Sequence, residues 1–235
     1  MTTVGERSVT MNKISRMLQL QQELNDATNG RGWEEGLTKN GKRIDWRRAI
    51  YLECAELIES YPWKHWKNID AEPDYDNIKI EAVDIWHFIM SQMLQEYKRE
   101  AKGDISTLTK AIEALPNYAA FKEGAAGSER DCYEQIEVVE ELIRTLFCGE
   151  APEAVMQAFI EVALQSGLTL DSLYRLYIGK NILNSFRQKH GYKEGSYIKI
   201  WNGEEDNVVM QRYLEEYPSV TPEELYRALE EAYPQ

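Results

Sequence analysis

Glu53-Cys54-Ala55-Glu56 and Glu81-Ala82-Val83-Asp84 each place two carboxylates three residues apart. Both stretches have helical periodicity, and positions i and i+3 share a helix face about one turn apart. On that geometry Trp46, Ala49, Ile50 and Leu57 lie on the side of Glu53 and Glu56, and Ile78, Ile85 and Phe88 flank Glu81 and Asp84. Four acids are thus aimed at apolar surroundings, where a lone carboxylate is heavily penalised. A cation, a proton or a paired partner makes them tolerable. An all-oxygen set suits a hard divalent ion, Mg²⁺ with Mn²⁺ as a substitute, which takes its remaining ligands from water and substrate phosphates. One such pair is ordinarily a solvated helix face; two on apolar faces of adjacent helices make a stronger signal.

Helices must position these acids. The periodicity predicts them over 11–28, 46–60 (with Asp45 as N-cap), 77–101, 108–115, 133–147, 154–165 and 170–188. A further capped helix opens at Thr221-Pro222-Glu223-Glu224. Residues 119–130, rich in Ala, Gly and Glu, read as a mobile loop, and residues 30–45, with Gly36 and Gly41, as a candidate lid. The longest extended stretch is 196–201. The fold class expected is all-α, a multi-helix bundle. Residues 1–10 form a tail and 11–235 a single domain, with 102–172 as a helical region carrying no recognisable chemistry.

Three groups of polar residues accompany the acids. Gln21 and Asn25 fall within the apolar stripe of the first helix, and buried amides need partners. Those partners are each other or nearby backbone, or a ligand such as a nucleobase edge. Trp63-Lys64-His65-Trp66-Lys67 is either core packing with snorkelling lysines or an aromatic wall against a ring. His87, one turn past Asp84, can reach the same rim. Lys180, Asn184 and Arg187 share a helix face, and between Lys180 and Lys199 five bases face one acid. Planar Arg with mobile Lys suits a polyphosphate, and Gly191 and Gly195 lie in a loop that could close over it. Together these features describe metal-assisted hydrolysis of a nucleoside polyphosphate.

Composition narrows the partners. Formal charge is −13, from 40 acids against 27 bases, which argues against a nucleic-acid polymer or an anionic membrane. Cys54, Cys132 and Cys148 match neither a disulfide framework nor a zinc signature, so a reducing compartment is expected. No run is apolar enough to span a bilayer, and the N-terminus lacks a signal-peptide pattern, so cytoplasmic localisation is the expectation.

The chain resembles the dimeric all-α dUTP nucleotidohydrolases (dUTPases), within the wider all-α nucleotide pyrophosphatase group that includes MazG-like proteins. The resemblance rests on residues 20–26, on Trp46-Arg47-Arg48 leading into the first acid pair, on residues 63–68 and on residues 80–88. It continues through Gly179-Lys180-Asn181 to Arg187, Gly191-Tyr192-Lys193 and residues 201–207. It implies a metal site between adjacent helices of a four-helix core, with Glu53, Glu56, Glu81 and Asp84 as Mg²⁺ ligands. Glu53 or Glu56 would also orient the attacking water. Gln21 and Asn25 would read uracil, and Trp66 and His87 would line base and sugar. Lys180, Arg187, Tyr192, Lys193 and Lys199 would hold phosphates, supported by Asn184 and Asn207. The implied activity is cleavage of dUTP to dUMP and pyrophosphate, with dUDP also accepted, by a homodimer. Two alternatives stand beside it: a MazG-like or dCTP-directed pyrophosphatase, and a catalytically silent helical binding module.

Overall fold

Asn12, Asp45 and Asp74 open the three helices nearest the acids, each accepting a hydrogen bond from the backbone N–H three residues on. Such caps satisfy donors that the first turn leaves unpaired. The computed structural model describes residues 12–67, 71–124 and 130–234; the expected tail over 1–10 lies outside them. The helices are α1 (Lys13–Asn29), α2 (Trp46–Glu59), α3 (Tyr75–Arg99), α4 (Ile105–Glu113), α5 (Tyr118–Glu123), α6 (Cys132–Phe147), α7 (Pro152–Gln165), α8 (Leu170–Lys189), α9 (Asp206–Glu216) and α10 (Pro222–Ala232). The only sheet among the described residues is a hairpin of β1 (Ile200–Trp201) and β2 (Glu204–Glu205). The all-α expectation is met.

α3 is the axis. It packs against α2, α7, α1 and α8, and Ile78, Val83, Ile85, Trp86, Ile89, Met90 and Met93 are almost wholly buried. A helix apolar on nearly every side has to be enclosed by others, so Glu81 and Asp84 are carried on the most deeply embedded element. A second apolar cluster joins Leu183 and Phe186 of α8 to Trp201, Met210 and Leu214, and to Leu225 and Leu229 of α10. It fixes the C-terminal segment against the open side of the acids.

Three readings are corrected. Residues 119–123 of the supposed mobile stretch belong to helix α5, held by buried Tyr118 and Phe121; positions 125–129 lie outside the described residues. The extended stretch over 196–201 shortens to the two residues of β1. The 30–45 loop is pinned by buried Trp33, whose indole N–H donates to Asp26 Oδ1 (3.1 Å) and whose ring meets Trp46 edge-on.

Gly179 lets α8 and α9 approach closely: a Cβ there would meet Met210 Sδ and Leu214 Cδ1 at 2.7 Å. Gly179→Ala sets about 2 kcal/mol of overpacking against about 1 kcal/mol of helix propensity. The expected net loss, about 1 kcal/mol, lowers Tm by roughly 2–4 °C in a chain of this size, measurable by calorimetry.

Candidate active site

The acids on α2 and α3 meet across the helix pair. Glu53, Glu81 and Asp84 each bring a carboxylate oxygen within 4.8 Å of the others. Glu56, a turn along α2, is more exposed and stands outside this trio, though it lines the same cleft. Burial, then the charges of Asp84, Glu81 and Glu56, push the Glu53 carboxyl up to about 8. Burial and Asp84 likewise push Glu81 up to about 7. The charge opposed to them is Lys180, itself buried, whose Nζ lies 2.8 Å from Asp84 Oδ2. One ammonium cannot balance three ionised carboxylates in a partly desolvated place, so without a cation Glu53 and Glu81 retain protons. Three hard oxygen donors so placed fit a divalent cation.

The cleft around the trio has a volume of about 860 Å³. Nine of its lining residues are acids (Glu53, Glu56, Glu59, Asp74, Asp76, Glu81, Asp84, Glu205 and Glu215) and four are bases (Lys180, Arg187, Lys199 and Arg212). A polyphosphate entering so acidic a space must bring, or meet, cations. The bases are tethered. Lys180 Nζ also donates to Asn207 Oδ1 (2.7 Å), and Arg187 makes a two-pronged pair with buried Asp206 (2.8 and 2.7 Å). Lys199 faces Glu205 at 3.2 Å. Three of the five bases between Lys180 and Lys199 are therefore paired with acids, from α3, β2 and α9.

A second polar group lies inside the bundle, where α1, α3 and α8 meet. Gln21 Nε2 and Asn25 Nδ2 both donate to Ser91 Oγ (3.0 and 2.9 Å), which donates to the His87 carbonyl. His87 Nδ1–H donates to Gln21 Oε1 at 2.7 Å, and the Tyr177 hydroxyl, 3.2 Å from the same oxygen, donates to the Met17 carbonyl. Burial depresses the His87 imidazole to about 3, so it is neutral at physiological pH. With Nδ1 donating, its Nε2 is an acceptor, and that atom is buried without a partner. Asn181 Nδ2 is a buried donor close to the Tyr177 hydroxyl but makes no well-aligned hydrogen bond. Orphaned buried groups of this kind are uncommon and costly.

The family model described as dUTPase matches residues 13–192. The chain belongs to the all-α dUTPase family. Hydrolysis of dUTP is therefore its activity. No match was found among curated proteins.

The fold brings most, though not all, of the expected residues to one place. Glu53, Glu56, Glu81, Asp84, Lys180, Arg187, Tyr192, Lys199 and Asn207 line the cleft. Asn184 is not among the lining residues; its Oδ1 accepts from Arg187 Nη1 at 3.3 Å. Gln21, Asn25 and His87 form the internal network instead. Lys193 is directed at the Thr28 carbonyl at the end of α1. Trp66 is exposed, edge-on to Trp63 and His65. Two residues escaped sequence reasoning. Asn181 is adjacent to Lys180 and differs from a surface amide only in its burial. Asp206 sits in an acidic stretch that gives no sign of being the buried partner of Arg187. Lys199, Glu205, Asp206 and Asn207 all lie beyond the matched residues, so the C-terminal segment supplies one wall of the cleft.

Proposed function

We propose that the cleft binds dUTP as its magnesium complex and hydrolyses it to dUMP and pyrophosphate, and that dUDP is taken in the same way. The observation that carries this reading is the meeting of Glu53, Glu81 and Asp84 within 4.8 Å in a cleft that Lys180 and Arg187 also line. Bound Mg²⁺, with Mn²⁺ as a substitute, supplies neutralisation of the phosphate charge and polarisation of the attacked phosphorus. Glu53, Glu81 and Asp84 hold it, with Glu56 at the rim. Glu53 or Glu56, a turn apart on α2, accepts the proton of the attacking water. Lys180 and Arg187, already oriented by Asn207 and Asp206, receive charge that moves onto the leaving phosphate.

Base reading falls to the internal network. The unmatched acceptor on His87 and donor on Asn181 complement an imide edge, which offers a donor N–H beside carbonyl acceptors. Gln21 and Asn25 hold His87 and Ser91 in place, and Trp66 can close on the base from outside. Residues 11–235 act as one catalytic domain, with 102–172 as helical support, and the active form is a homodimer. No described helix is long and apolar enough to cross a membrane, and three free thiols suit a reducing, cytoplasmic setting.

The test is a substrate panel with Mg²⁺ and with chelator. dUTP should release pyrophosphate only with the metal, and dCTP should be slower by on the order of 10²-fold, because cytosine sets like groups against His87 and Asn181. Equal turnover of dUTP and dCTP would remove the base-reading assignment. Turnover of dUTP in chelator would remove the metal.

A further inference from the structure

We infer that Asp206 is a positioning residue for the phosphate grip, fixing the Arg187 guanidinium so that a single edge stays presented to the cleft. The inference rests on reading Arg187 as a phosphate ligand.

Asp206 opens α9 and is wholly buried. Its Oδ2 accepts from Arg187 Nε (2.8 Å) and its Oδ1 from Nη2 (2.7 Å), the fork-to-fork arrangement that sets both distance and plane. The Tyr197 hydroxyl donates to Oδ2 at 2.7 Å, and the Asp206 backbone N–H donates to the Lys199 carbonyl, so the residue is itself held through side chain and backbone. Asn207 Oδ1 accepts a second hydrogen from Nη2 (3.2 Å), and Asn184 Oδ1 accepts one from Nη1 (3.3 Å). Of the five N–H groups of a guanidinium, these contacts commit four. The fifth, on Nη1, is left for whatever fills the cleft that Arg187 lines.

Burial alone would push the Asp206 carboxyl up; the hydrogen bonds and charge of Arg187 outweigh it and hold the carboxyl below the usual range. Asp206 is thus ionised whenever the enzyme works. Buried ion pairs seldom stabilise a fold more than apolar side chains of the same size. Pre-orientation of Arg187 gives this one a reason to sit in a cleft wall, since a long side chain already fixed loses little freedom when substrate binds. Tyr197 extends the hold outward. Its ring stacks on Tyr233 (centroids 5.4 Å apart), whose hydroxyl accepts from the Ile198 N–H, so the residues after α10 brace the same arginine.

The experiment is a double-mutant cycle in dUTP kinetics with Arg187→Ala, Asp206→Asn and both together, each checked for fold by circular dichroism and Tm. Asp206→Asn keeps the shape and one acceptor oxygen. It should raise KM for dUTP by about 10-fold or more, the usual scale for losing a supporting partner. In the Arg187→Ala background the same change should do almost nothing. A purely structural Asp206 would cost the same factor in both backgrounds, and that result overturns the inference. So does a harmless Asp206→Asn beside a damaging Arg187→Ala. If Arg187→Ala itself leaves KM and kcat unchanged, the reading of Arg187 falls, and the inference with it. Should Asp206→Asn fail to fold, Tyr197→Phe is the second probe. Loss of that one hydrogen bond should raise KM about 3-fold, and only where Arg187 is present; an unchanged KM overturns the inference.

Discussion

Glu53→Gln is expected to lower dUTP turnover by on the order of 10³-fold or more, and at the same time to raise the Tm of the metal-free protein. The first effect follows from removing one of three ligands whose bound ion contributes several kcal/mol to the transition state, each ~1.4 kcal/mol being a factor of ten. The second follows from the site's electrostatics. Burial and the charges of Asp84, Glu81 and Glu56 push the Glu53 carboxyl up to about 8, so its ionised form is one the fold resists. A neutral amide of the same shape relieves that repulsion. Allowing for the lost attraction to Lys180 and for partial access to solvent, the gain is about 2 kcal/mol, or roughly 4–8 °C in Tm. Steady-state kinetics and scanning calorimetry in chelator check both halves. A variant that loses stability along with activity would mean that Glu53 is a structural carboxylate satisfied within the fold.

The same electrostatics make both stability and metal affinity depend on pH. Glu53 and Glu81 have folded-state values raised from 4.5 to about 8 and about 7. Over that window the native state holds protons that the unfolded chain has released. Their stabilising contribution is therefore complete below about pH 4.5 and disappears as pH rises through 7 to 8. His87 acts with the opposite sign: its folded value, about 3 against 6.5 unfolded, makes stability rise with pH across that lower interval. Above pH 6.5 the carboxylates dominate, and the metal-free protein should become progressively less stable up to about pH 8.5. Mg²⁺ should reverse the trend, because binding displaces the retained protons and its apparent affinity climbs by up to about tenfold per pH unit for each proton displaced. Urea denaturation at pH 6.5 and 8.5, with Mg²⁺ and with chelator, reads both slopes. A flat profile in chelator would contradict the inward-facing acids.

How much of this was legible in the sequence follows from the range of each signal. The acid pairs were readable because helical spacing is local: the apolar neighbours of Glu53 and Asp84 fix which way the carboxylates face. The shared face of Lys180, Asn184 and Arg187 was legible for the same reason. Their partners were not, since Asp84 and Asp206 reach them only through packing of α3 and α9 against α8, and nothing in the pattern marks Asp206 as buried. Burial of Gln21 and Asn25 could be read from their place in an apolar stripe. Their common partner, Ser91, is an ordinary serine until α1 is laid on α3. Helix α5 was missed because the Ala, Gly and Glu content of 119–130 suggests a loop, while Tyr118 and Phe121 supply the burial that overrides it. Helix α9 was missed too: its apolar residues find partners only in α8 and α10.

The most direct test of the central claim is the anomalous scattering of Mn²⁺ in crystals grown with a non-hydrolysable dUTP analogue. Manganese is expected to be bound by oxygens of Glu53, Glu81 and Asp84 and by the phosphate chain. Manganese elsewhere in the cleft, with those three carboxylates unliganded, would contradict that claim.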